Sequence, residues 1–350
     1  MPPRSLSFKP ASASASASAS TSTSSASSSS FSSSFSSLSL TKAYHKAYHR
    51  AHAAIITRCR AAAELTDVAQ GLAAVVTTLL YFKQKALIYP SHMPPNARTD
   101  VPRPSQYGIK DFEELVIPTN DGEKLSAFYI RGRRGGRYSK CTMLMFHGNA
   151  GNIGHRLPIA RMLINYIGCN VFMLEYRGYG LSTGEPDEKG ITLDAQTALD
   201  YLRNRAETSD HKIIIYGQSL GGAVSIKLTA KNQYAGDIVG LVLENTFLSI
   251  RSLIPSIIPP AKYLTMLCHQ VWPSETILPT ITEVPILFLS GLQDEIVPPT
   301  HMRKLYELAT TPTKIWKTLP GGDHNSSVLE EGYFEAISEF VSNVAGDEKS

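Results

Sequence analysis

The stretch Ile213-Ile-Ile-Tyr-Gly-Gln-Ser-Leu-Gly-Gly222, IIIYGQSLGG, joins a short uninterrupted apolar run to a helix-like segment, AVSIKL. A run of that length, bounded by glycine, reads as a strand buried on both faces. Ser219 then falls where strand gives way to helix, with Gly217 and Gly221 two residues to either side. A serine on so sharp an elbow sits in a strained backbone conformation, and the turn closes only if those two neighbours lack side chains. The competing reading is an ordinary serine that caps an ordinary helix. G-x-S-x-G arises readily by chance in a chain containing much glycine and serine, so the surroundings have to decide.

Working outward, similar apolar runs recur at 142–146 (TMLMF), 170–176 (NVFMLEY), 212–217 (KIIIYG), 238–244 (IVGLVLE), 284–291 (VPILFLSG) and 313–320 (TKIWKTLP). Helical patterns are expected between and after them, near 153–167, 190–206, 220–231, 300–309 and 327–344. This alternation predicts βαβ units and a mainly parallel sheet covered on both faces. Before it, FEELVIPTNDGEKLSAFYI reads as two strands joined across Asn120-Asp121-Gly122, which brings the sheet to eight strands. Residues 245–283 interrupt the rhythm with an apolar, proline-broken insertion, LIPSIIPPAKYLTML followed by Trp272. It is expected either to form a lid or acyl-binding cap, or to pack on itself.

Reactive groups in open parallel sheets collect at the carboxyl ends of strands. There the sequence places HGNAGN (147–152), GQSLGG, GLQDEIVP (291–298) and GGDHN (321–325). A serine, then an acid, then a histidine follow the third, fifth and sixth of the apolar runs, which is the order of an α/β-hydrolase. Ser219 is the expected nucleophile and His324 the expected general base. Asp294, in a loop just past a strand, is the expected orienting acid. Glu244 competes for the last role because it ends the preceding strand. Asp323 is less suited, being adjacent to the histidine it would have to face. The backbone N–H groups of Leu220 and Asn149 are the expected oxyanion donors. His147 is read as ordering the Asn149 loop rather than moving a proton.

Composition sets the outer bounds. The chain has 350 residues, 43% hydrophobic, enough for a large α/β domain with a full core. Its net charge of +4 is uneven. Residues 1–63 hold seven Lys or Arg and no acid, and the rest is slightly acidic with no basic stripe, so no nucleic-acid partner is expected. Cys59, Cys141, Cys169 and Cys268 lie far apart, as buried small apolar residues would. No H-E-x-x-H or comparable spacing occurs, and neither metal nor cofactor is expected.

Residues 1–63 form a Ser-rich, basic region expected to be disordered. Residues 64–90 carry the uncharged run VAQGLAAVVTTLLYF, 68–82, which at fifteen residues is short of the roughly 20 that span a bilayer, though Lys83 and Lys85 can snorkel. Three readings stay open: a signal anchor, an organelle transit peptide, or a tail leading into a helix that packs on the domain. The catalytic domain is expected over 91–345.

With the segments LIYPS (87–91), TNDGEKL (119–125), FHGNAGN (146–152), EYRGYGLSTGEPDEKG (175–190), GQSLGG and GLQDEIVPP (291–299), the chain closely resembles the bud-emergence (Bem) type of α/β-hydrolase. It is also similar to the α/β-hydrolase domain proteins that include protein depalmitoylases. The resemblance covers about residues 70–345. It implies a serine hydrolase using Ser219, Asp294 and His324, held by an N-terminal apolar segment in endoplasmic reticulum or cell-periphery membranes. The expected substrate is a carboxylic ester or thioester of acylated lipid or protein. A serine peptidase of the same fold, and a non-catalytic scaffold for polarity or membrane proteins, are the alternatives.

Overall fold

The computed structural model describes residues 81–346 throughout, together with isolated helical positions between 50 and 78. Of the region 1–63 expected to be disordered only isolated helical positions from 50 to 58 are described, the rest lying outside the described residues, as do residues 64–69, 72, 73, 76, 79 and 80 of the 64–90 segment. The chain divides into two compact units, Met1–Gly71 and Leu72–Ser350, and the sheet with its helices belongs to the second.

Eight strands form one sheet: β1 Phe112–Pro118, β2 Lys124–Ile130, β3 Cys141–Phe146, β4 Asn170–Leu174, β5 Lys212–Gln218, β6 Ile238–Glu244, β7 Ile286–Gly291 and β8 Lys314–Leu319. Their spatial order is β1-β2-β4-β3-β5-β6-β7-β8. The β1–β2 and β2–β4 pairs are antiparallel, and every other pair is parallel. Every residue of β3, β4 and β7 is buried, which is why these strands read as unbroken apolar runs. Edge strand β8 is only partly buried and admits Lys314 and Lys317. In the β1–β2 turn Gly122 has φ 95°, a conformation that favours glycine.

Alternation along the strands builds two cores. Leu144, Phe146, Ile213, Ile215, Leu241 and Leu243 face α2 (Glu188–Asn204), α3 (Leu220–Asn232) and α5 (Pro299–Leu308). Met143, Met145, Ile214, Tyr216 and Val242 face α1 (Leu157–Tyr166) and α6 (Tyr333–Ala345). The last helix begins at Tyr333 rather than near 327, because Gly332 at φ 79° separates it from a 3₁₀ turn over Ser327–Leu329. Cys141, Cys169 and Cys268 are free and buried, as their spacing predicts.

The insertion between β6 and β7 carries α4 (Ile250–Ile257) and a 3₁₀ segment Pro259–Leu267. It does not make a separate core. Trp272 is fully buried in the core shared with α2, α3 and α5, and its Nε1 donates to Tyr89 Oη at 2.8 Å, which donates to Gln270 Oε1 at 2.9 Å. Residues 81–88 are helical and lie against the same insertion. Gln84 donates to the Leu267 carbonyl (3.3 Å) and accepts from the His269 and Gln270 N–H groups (2.8 and 3.2 Å). Lys85 pairs with Asp187 at 2.7 Å. Residues 81–88, near the end of the 64–90 segment, thus pack on the domain. Among the described residues no helix is long and apolar enough to cross a membrane.

Candidate active site

The parallel strand order reverses between β3 and β5, and the loops that follow these two strands meet at that point. Ser219, between β5 and α3, has φ 54° and ψ −117°, a sparsely populated conformation for a residue with a side chain. A Cβ on Gly217 would lie 2.2 Å from the Gly221 carbonyl oxygen, and one on Gly221 would lie 2.0 Å from that of Phe146. Both glycines are therefore demanded by backbone contact at the elbow. The strained residue is pinned on both sides. Its N–H donates to the Glu244 carbonyl at 2.9 Å, and its own carbonyl accepts from Thr246 Oγ1 at 2.7 Å and Gly222 N at 2.9 Å. Its hydroxyl makes no capping hydrogen bond, so the helix-cap reading fails.

That hydroxyl instead faces His324, which follows β8: Oγ lies 3.0 Å from Nε2. Nδ1 of the same ring lies 2.7 Å from Oδ2 of Asp294, in the loop after β7. The other carboxylate oxygen, Oδ1, accepts the N–H groups of Ile296 (2.9 Å) and Val297 (2.8 Å). With an acceptor at Nδ1, the hydrogen-bond network assigns the ring proton to that nitrogen and leaves the Nε2 lone pair for the serine. Each of the three side chains sits in a residue only 6% exposed.

The competing acid is occupied elsewhere. Glu244 is fully buried, and its Oε2 accepts from Tyr216 Oη and from Tyr333 Oη, the latter at 2.6 Å. Asp323 caps the turn after it, accepting from Asn325 N at 2.8 Å and Ser326 N at 2.7 Å.

Burial pushes the Glu244 carboxyl above its ordinary range, partly offset by the two tyrosine donors. The folded protein then holds this proton at pH values where the unfolded chain has released it, so stability falls as pH rises through that interval. Glu244→Gln is expected to remove this slope. In denaturant titrations between pH 4 and 8 the wild type should lose ground steadily to the variant as pH rises; a pH-independent gap between the two would refute it.

The loop after β3 is held from several directions. Tyr176 Oη donates to the His147 carbonyl at 2.9 Å, and Tyr179 Oη donates to the Asn149 carbonyl at 2.9 Å. The Asn149 side chain donates to the Ile88 carbonyl at 3.2 Å. His147 is buried beneath the loop, with Nδ1 2.7 Å from the Gly148 carbonyl. Its Nε2 is 3.0 Å from Glu175 Oε1, within ion-pair distance although neither atom forms an aligned hydrogen bond. Leu220 opens α3, a position whose N–H has no partner within the helix. Asn149, Ser219 and Leu220 line one cavity of about 240 Å³, whose other walls come from 81–88, from the insertion, including Ile250, Leu253 and Ile254, and from Ile296 and Val297 in the Asp294 loop. No lining residue carries a charge.

Known proteins place this chain in a family. The chain is 43% identical over 277 residues to the protein bem46 of Schizosaccharomyces pombe, covering 77% of this chain and 91% of that one. The chain belongs to the Bem46-type α/β-hydrolases. It is also 42% identical to an uncharacterized membrane protein of Saccharomyces cerevisiae, over 77% of this chain and 94% of the relative. The family model described as serine aminopeptidase, S33, matches residues 138–281. An esterase of Pyrococcus furiosus shares the fold at a TM-score of 0.57 and 18% identity, over 70% of this chain and 96% of the esterase. Fold and relatives together make this Bem46-type chain a hydrolase.

Several residues that build the site escaped sequence reasoning. Gln218 donates from Nε2 to the His324 carbonyl at 3.1 Å, and so steadies the histidine's backbone from the strand that presents the serine. Asn245, at φ 45°, donates to the Asp323 carbonyl (3.2 Å) and Ser327 Oγ (2.9 Å) and accepts from Gly291 N (2.8 Å). It ties the ends of β6 and β7 to the His324 loop. An asparagine immediately after a strand, where a left-handed conformation is tolerable, was the available signal.

Proposed function

We propose that the chain is a serine hydrolase that cleaves carboxylic esters or thioesters bearing an acyl chain, through an acyl-enzyme on Ser219. The hydrogen-bonded line from Ser219 Oγ through His324 to Asp294, opening into an uncharged apolar cavity, carries this reading. Ser219 Oγ attacks the acyl carbonyl carbon as its proton passes to His324 Nε2. The resulting oxyanion is met by the N–H groups of Leu220 and Asn149, and Asp294 stabilises the imidazolium. Collapse expels the alcohol or thiol, which takes the proton from His324. Water then attacks the acyl-serine, its proton passing to His324, and releases the carboxylic acid with Ser219 restored.

An aminopeptidase reading is less well supported. A peptide's free α-ammonium would need a carboxylate beside the serine, and none lines the cavity. An alkyl fluorophosphonate is expected to label the folded protein near neutral pH, with the adduct mapping to Ser219. In a p-nitrophenyl ester series, kcat/KM should rise by about fourfold per added methylene until the cavity is filled. Absence of labelling would remove the serine-hydrolase reading, and a flat chain-length series would remove the acyl chain from it.

A further inference from the structure

Large apolar side chains crowd the mouth of the cavity in a way the chemistry does not require. Leu87, Ile257 and Ile258 line it yet are 62%, 54% and 53% exposed. Beyond the lining, on the same two segments, Phe82, Tyr263 and Met266 are exposed by 73%, 79% and 77%. Gln84 joins these segments through its bonds to Leu267, His269 and Gln270, and the Tyr81 and His269 rings meet at 5.3 Å. Single exposed apolar residues are ordinary on soluble proteins; a group of them rimming an apolar cavity marks a contact surface.

The sequence entering this rim points to the occupant. Residues 72–82, LAAVVTTLLYF, are uncharged and apolar and end at the mouth itself, followed directly by Lys83 and Lys85. Across the mouth, exposed Lys262 places Nζ 4.9 Å from the centre of the Tyr263 ring. Aromatic rings flanked by lysines suit the boundary between acyl chains and headgroups, where the ring is half-buried and the ammonium stays wet.

We propose that this rim docks into the surface of a lipid bilayer, so that the acyl chain of a membrane-borne substrate slides into the cavity without crossing water. What enters the cavity rests on the acyl-hydrolase reading; the docking itself is measurable without turnover. Interfacial binding of this kind scales with the apolar area inserted and needs no spanning helix.

The test uses the full chain. Met266→Trp in a Ser219→Ala background is mixed with phosphatidylcholine vesicles whose acyl chains carry bromine, with Ser219→Ala alone supplying the background of buried Trp272 and half-buried Trp316. The added tryptophan should lose about half its emission relative to unbrominated vesicles, as a side chain inserted at the acyl boundary would. In the active chain, Phe82→Ser, Tyr263→Ser and Met266→Ser combined should leave kcat/KM for dissolved p-nitrophenyl acetate within about twofold, while hydrolysis of a long-chain ester carried in vesicles falls about tenfold or more.

An unquenched tryptophan, or a triple variant as fast as wild type on vesicle-borne ester, overturns the docking. So does a dimer that the triple variant abolishes while quenching is absent, since a second copy then covers the rim. Quenching without hydrolysis of any ester leaves the docking in place and removes the acyl-hydrolase reading instead.

Discussion

Ser219→Ala is expected to lower kcat by about 10⁶-fold with little change in KM, leaving the modest rate that binding and the oxyanion donors supply alone. The same position offers a second measurement that tells a nucleophile from a structural serine. At φ 54° and ψ −117° Ser219 occupies a conformation that costs a residue with a side chain about 1–3 kcal/mol, and its hydroxyl makes no helix cap. Ser219→Gly should therefore abolish activity while raising the unfolding free energy by about 1–2 kcal/mol, visible as a melting temperature a few degrees higher. A serine kept for capping would behave oppositely, since its loss destabilises. An inactive and less stable glycine variant would contradict the elbow interpretation; an alanine variant retaining a few per cent of wild-type kcat would contradict the nucleophile.

The sheet was legible because its inner strands are buried on both faces, so burial left a contiguous apolar signature at β3, β4, β5 and β7. The elbow was legible for a steric reason: Gly217 and Gly221 stand where backbone approaches to about 2 Å of a would-be Cβ, and no other residue fits. What could not be read was anything fixed by proximity across strands. Glu244 ends β6 and Asp294 lies just past β7, and the choice between them depends on Tyr216 and Tyr333, 28 and 89 residues from Glu244, closing over its carboxylate. Tyr176 and Tyr179 were visible as part of the EYRGYG signature, but the carbonyls they hold lie in the loop after β3. The insertion was read as either a cap or a self-packing unit and combines features of both. Trp272 fastens it into the core shared with α2, α3 and α5, while α4 lends its apolar face to the cavity. A pattern of apolar residues broken by prolines carries no record of which neighbour each side chain will meet.

Asp294→Asn is expected to lower kcat by about 10⁴-fold without unfolding the protein, and the local hydrogen bonds explain so large an effect from one exchanged atom. Oδ1 of Asp294 accepts two backbone N–H groups, from Ile296 and Val297. An asparagine must turn its carbonyl oxygen toward these donors, which points its NH₂ group at Nδ1 of His324. That nitrogen can then only accept, so the ring proton moves to Nε2, where it blocks transfer from the Ser219 hydroxyl 3.0 Å away. The imidazole would be correctly placed and wrongly protonated. Stability should change little, because every backbone donor keeps its acceptor. Glu244→Gln provides the contrast: its carboxylate faces tyrosines rather than the histidine, so kcat should stay within about tenfold of wild type. Parallel kcat measurements on the two variants decide the matter. Full activity in Asp294→Asn, with collapse in Glu244→Gln, would transfer the orienting role to the acid at the end of β6.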